Sequence, residues 1–110
     1  MACNEHLAAR VLRTFRNTPG FEERRMFGGV GCLIHGNMAC GVLNDDLIVR
    51  VGPDFYEECL AMPHVREFDI TGRSMKGWVM VGPEGTVTPS QLKAWVERGR
   101  SFARTLPPKS

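Results

Sequence analysis

The sequence predicts an α+β domain in which an antiparallel sheet, built from two groups of strands, is flanked by N- and C-terminal helices and carries a short central helix. Three observations lead there. Apolar residues recur at helical spacing at both ends of the chain, short apolar runs fill the middle, and the segments between the first four runs are short and of turn-forming type. Connections that short join antiparallel neighbours, because a parallel crossover needs about a dozen residues or more.

The first helix starts at Asn4, a side chain suited to an N-cap, and places Leu7, Ala8, Val11, Leu12 and Phe15 on one stripe before "NTPG" stops it. Arg10, Arg13 and Arg16 line the opposite face, which reads as the solvated surface of an amphipathic helix. The runs "FEERRMF", "VGCLIH", "MACGVL" and "DLIVRV" follow, separated by "GG", "HGN" and "ND", and read as a meander of strands. In the last of them, alternation sends Leu47, Val49 and Val51 toward the core and Arg50 outward. "GPDFYEECLAMP" makes the short central helix, with Pro53 suited to its first turn and Pro63 ending it. "REFDI" and "GWVMV" form the second strand group around the loop "TGRSMK". Thr88 as N-cap and Pro89 at the first helical position open the last helix, whose buried stripe is Leu92, Trp95, Val96, Phe102 and Ala103. Gly99 costs that helix about 1 kcal/mol relative to alanine, which points to close packing there.

With 110 residues, 43% hydrophobic and 24% charged, the chain has the composition of one ordinary globular domain spanning 1–110, with 105–110 expected as a frayed tail. A formal net charge of +2 does not by itself announce nucleic acid. The opening stretch "MACNEHLAARVLRTF" holds Glu5 and the arginines Arg10 and Arg13 without a long apolar run, so neither a secretory signal nor a membrane span is expected, and a cytoplasmic location with no membrane partner is. The four cysteines, Cys3, Cys32, Cys40 and Cys59, contain no C-x-x-C pair and are expected as thiols that fill the core. With "HGN" as a three-residue hairpin loop, Cys32 and Cys40 face each other across neighbouring strands. The plain reading is a shared small-residue position in the core; the sharper one is a thiol pair that senses oxidation.

Three glycines, Gly28, Gly29 and Gly31, directly follow Arg24 and Arg25 in "RRMFGGVG", which raises the question of a phosphate-cradling loop. Such a loop needs a helix N-terminus immediately after it, and here a strand and a hairpin follow, with no G-K-[ST] anywhere. The glycines therefore read as architectural: Gly28 and Gly29 for a tight turn, Gly31 and Gly41 for a bend or close approach, and Gly36 for the next hairpin.

The run "RRMFGGVGCLIHGNMACGVLNDDLIVRV", followed by "FDITGRSMKGWVMV" and a closing amphipathic helix, resembles the N-terminal domain of the TfoX (Sxy) family of competence regulators over about Leu7 to Leu106. The residues that carry the resemblance are Met26 to Gly31, Gly36 and Met38, Asp46-Leu47, Arg50-Val51, and Gly72-Arg73 with Met75 leading to Trp78. It implies an antiparallel sheet flanked by helices, present here as a standalone domain without the family's C-terminal domain, and it supplies no catalytic residue to carry over.

The residues themselves offer no catalytic, metal or cofactor set. His6 falls in the first helix, His35 in a hairpin turn and His64 in a loop, and no spacing brings them together. The expectation is a non-enzymatic regulatory or protein-interaction module of bacterial type. Its candidate partner-binding residues are Arg73, Met75 and Lys76 in the glycine-bounded loop, with Arg24 and Arg25 before the glycine turn. Arg73 is the favoured one for a carboxylate or phosphate, since its fork binds bidentately. Met75 and Trp78 equally suit a core. The alternative is a weak nucleic-acid-binding accessory protein using these cations with Arg98, Arg100 and Arg104, although acidic residues are interspersed among them. The sheet edge offers a route to a homodimer.

Overall fold

A computed structural model describes residues 4–26, 28–69 and 75–108, and among them it forms one six-stranded antiparallel sheet with three α-helices. Helix α1 (Glu5–Thr14) leads into β1 (Phe21–Met26), β2 (Gly29–Ile34), β3 (Asn37–Leu43) and β4 (Asp46–Arg50). A 3-10 turn at Pro53–Phe55 runs into α2 (Tyr56–Leu60), then come β5 (Val65–Glu67), β6 (Trp78–Val81), a second 3-10 turn at Pro83–Gly85, and α3 (Pro89–Arg104). The strand order is β1-β2-β3-β4-β6-β5. The two expected strand groups are thus one sheet, joined where β4 pairs antiparallel with β6. Strand β5 is shorter than "REFDI" suggests, because Phe68 leaves the ladder to pack with Ile48 and Met80.

Alternation along the strands builds two apolar rows under the helices. Val30, Val42, Leu47, Val81 and Val65 are neighbours across five strands, and Cys32, Cys40, Val49 and Val79 form the next row. The stripes of α1 (Leu7, Ala8, Val11) and α3 (Leu92, Trp95, Val96, Ala103) close over these rows to make the main core. A smaller cluster of Ile48, Phe68 and Met80, with Leu43 and Trp78 against it, lies apart from that core.

The β2–β3 hairpin departs from the expected loop. It turns on two residues rather than three, His35 and Gly36, with φ of 51° and 84°, the double positive-φ signature of a type I′ turn. The residue missing from the loop reappears as a bulge. The register shifts between Cys32 and Leu33, so that Leu33 faces Met38 while Cys32 faces Cys40, and Ala39 is the extra residue. Ala39 is fully buried, and α3 rests on its carbonyl: a Cβ at Gly99 would stand 2.3 Å from that oxygen.

Local bonds fix the helix ends. The Asn4 side chain accepts the Leu7 N–H at 3.0 Å, and the Asn4 backbone N–H donates to the Asn44 carbonyl, tying α1 to the β3–β4 turn. Buried Asn37 donates to the Pro107 carbonyl at 2.8 Å, which ties the segment after α3 to β3. Helix α3 opens on a full capping box: the Gln91 N–H donates to Thr88 Oγ1 and the Thr88 N–H to Gln91 Oε1. Replacing Thr88 with alanine should cost about 1 kcal/mol in urea unfolding, while Thr88→Ser should retain most of that stability.

Candidate functional site

The structure separates the cations that the sequence grouped. Arg24 and Arg25 lie exposed on the edge strand β1, where Arg24 pairs with Glu22 at 2.9 Å and Arg25 with Glu5 at 3.1 Å and Glu23 at 3.4 Å. Met75 and Lys76 are exposed just before β6, four strand spacings away, or about 19 Å. Arg73 lies outside the described residues. The glycine run makes a turn between β1 and β2, with Gly28 at φ 77°, and no helix follows it. Gly29 opens β2 and Gly31 faces Gly41.

Gly77, next in the chain after Met75 and Lys76, is bonded to the chain that lines a concavity. The carbonyl of Gly77 accepts the N–H groups of Val51 at 2.8 Å and Gly52 at 3.0 Å, which draws the segment before β6 against the chain leaving β4. That chain continues into the Pro53–Phe55 turn, and between the turn and α3 lies a groove of about 670 Å³. Val51, Gly52, Phe55, Ala94 and Phe102 give it apolar walls, and Asp54, Glu97 and Arg98 supply charge. Phe55 is 52% exposed. Phe102 is half-buried rather than a core residue, because its ring occupies the space beside Gly52, where a Cβ would meet it at 2.6 Å. Gly52 also takes a φ of 87°, a second reason for glycine there.

Arg50 stands at this end of the sheet, and local alternation gave no hint of its setting. Its guanidinium lies 5.1 Å from the centroid of Trp78 and 5.4 Å from that of Phe102, a stack on two aromatic rings. Among the described residues no carboxylate or carbonyl accepts from it. Partial burial without a counter-charge pushes its pKa down. The neighbouring arginines differ. Arg100 donates to Glu97, to the Thr14 carbonyl at 2.9 Å and to Thr18, and so fastens α3 to the end of α1. Arg98 pairs with Glu58 and Arg66 with Asp46.

A family model of the TfoX N-terminal domain matches residues 13–103. The chain belongs to the TfoX N-terminal domain family. No curated protein matches it. The match runs from the last turn of α1 almost to the end of α3, so Arg50, both of its aromatic partners and the groove residues from Val51 to Phe102 lie within the family domain.

The remaining chemistry-bearing residues of this TfoX domain sit in structural places. The ring of His35 packs on Gly20, while His6 and His64 are exposed on other elements. Among the described residues, no group of three His, Cys, Asp or Glu side chains could hold a metal ion. No helix among them is long and apolar enough to cross a membrane. Cys32 and Cys40 face each other as expected and are fully buried. A hydrogen bond to Cys32, reinforced by burial, holds the Cys40 thiol well above its usual pKa, and burial raises Cys59. Both effects disfavour thiolate, the reactive form. In a Cys3→Ser background, a chromogenic disulfide reagent at pH 8 should therefore titrate no thiol in the folded protein and three after denaturation.

Proposed function

We propose that this TfoX N-terminal domain is a non-enzymatic regulatory module that works by binding another protein. The partner docks in the groove between the Pro53–Phe55 turn and α3. The observation that carries this reading is Phe55: a large aromatic ring, 52% exposed, on the wall of a groove whose opposite wall holds a second phenylalanine. Exposed aromatics beside a concave apolar surface are the usual anchors of protein recognition. Met75, 40% exposed, adds a flexible apolar contact on the adjoining segment. The α3 wall presents Ala94 and Ser101, small side chains that admit the apolar ridge of an amphipathic helix.

Family membership supports a setting in cytoplasmic transcriptional control, of the kind competence regulators exert. The charge pattern favours a protein partner over nucleic acid. Arg24, Arg25, Arg98 and Arg100 each face a carboxylate, and they are spread over different elements instead of forming one stripe.

Placing a photo-crosslinking phenylalanine analogue at position 55 in living cells should trap one partner protein, whose affinity for the purified domain is then measured by calorimetry. Phe55→Ser and the groove-filling Ala94→Arg should each weaken that affinity at least about tenfold. Because Phe55 is half exposed, its replacement should shift stability by no more than about 0.5 kcal/mol. Unchanged affinity in both variants would overturn the reading.

A further inference from the structure

We infer that Arg50 is a carboxylate-binding residue that reads an acidic group on the segment docked in the groove. The inference rests on the docking reading above and adds the chemistry of the partner. Three features of the guanidinium carry it. It lies over two rings, 5.1 Å from the centroid of Trp78 and 5.4 Å from that of Phe102, contacts that restrict it before any ligand arrives. Its fork of N–H donors has no acceptor among the described residues, whereas Arg24, Arg66, Arg98 and Arg100 each bond or pair with a carboxylate. It also stands against Phe102, a wall of the groove, and is followed in the chain by Val51 and Gly52, which line it. A preoriented, partly desolvated fork with open donors suits bidentate capture of a planar oxyanion.

The surroundings choose between oxyanions. Asp54 and Glu97 line the neighbouring groove, and Arg98, which lines it too, is paired with Glu58, so a polyanion running through it meets repulsion from both carboxylates. An isolated carboxylate beside apolar side chains reaches Arg50 without running past Asp54 and Glu97. The segment that fits is therefore an apolar anchor against Phe55 and Phe102 with an Asp, a Glu or a terminal carboxylate reaching Arg50. Lys76, exposed next to Gly77, adds a second positive charge at that end.

The test uses the intact domain and three probes: 4-phenylbutyrate, its neutral amide, and inorganic phosphate, each titrated while NMR follows the Arg50 Nε–H and the amides of Phe55 and Phe102. The expected result is that the acid binds at least about fivefold more tightly than the amide and moves the Arg50 signal. Arg50→Gln should abolish that preference with binding of the amide unchanged, and Arg50→Lys should restore only part of it. If acid and amide bind the groove equally and Arg50 does not respond, the inference fails while the docking reading stands. If neither probe moves Phe55 or Phe102, the groove reading fails and the inference falls with it. If phosphate moves Arg50 at lower concentration than the acid, the carboxylate assignment is overturned in favour of a phosphoryl partner. The comparison of acid with amide is made on the native chain, so it decides the matter even where Arg50→Gln does not fold.

Discussion

Helix α3 meets the sheet through a contact that only a glycine permits. Ala39 is the extra residue of the β2–β3 bulge, and its carbonyl lies where the side chain of any other residue at position 99 would have to go. A bulge bends its strand locally, and here it meets the one residue of α3 that lacks a side chain. The seat fixes the rest of the helix. Trp95, Val96 and Ala103 enter the core, Arg100 reaches the end of α1, and Phe102 reaches Gly52 and Arg50. The groove exists because α3 sits that close: its far wall is the Pro53–Phe55 turn, which is held in turn by the clasp between Gly77 and Gly52.

The distribution of charge follows from the same arrangement. Arginines that look like a phosphate-binding set in the sequence are divided by the fold among an edge strand, a helix junction and an exposed helix face, and most meet carboxylates. Exposed ion pairs of this kind contribute little to stability, but they neutralise the surface. Arg50 differs in being covered by two aromatic rings, which offer polarisable faces and no formal charge. It stands against Phe102, one of the residues that line the groove.

Much of the fold was legible because its signals are local. Asn4 and Thr88 cap helices as their side chains suggest, and the alternation of Leu47, Val49 and Val51 puts those residues in the core. The pairing of Cys32 with Cys40 was also legible, although it arises differently, from a two-residue turn corrected by a bulge. Neither component shows in residue types, since Ala39 carries no mark of a bulge. Gly99 did carry a mark: a glycine inside an amphipathic helix signals close approach, but not what approaches. The site was less legible. Met75 and Lys76 precede β6 while Arg24 and Arg25 lie on the edge strand β1, four strands away, so the fold does not gather them. Arg50 and Phe102 escaped because a solvent-facing arginine and a core phenylalanine are the ordinary readings of their patterns. Their meeting depends on how a strand end and a distant helix are packed.

Stability of Gly99→Ala is the measurement that bears most directly on this account. Helix propensity alone favours alanine by about 1 kcal/mol, so the two contributions have opposite sign. With the Ala39 carbonyl in the way, the account predicts that chemical unfolding will show the variant destabilised by about 2 kcal/mol or more, with the NMR signals of Phe102 and Arg50 displaced as the helix lifts. A Gly99→Ala protein as stable as the parent or more so, with those signals unmoved, would contradict it.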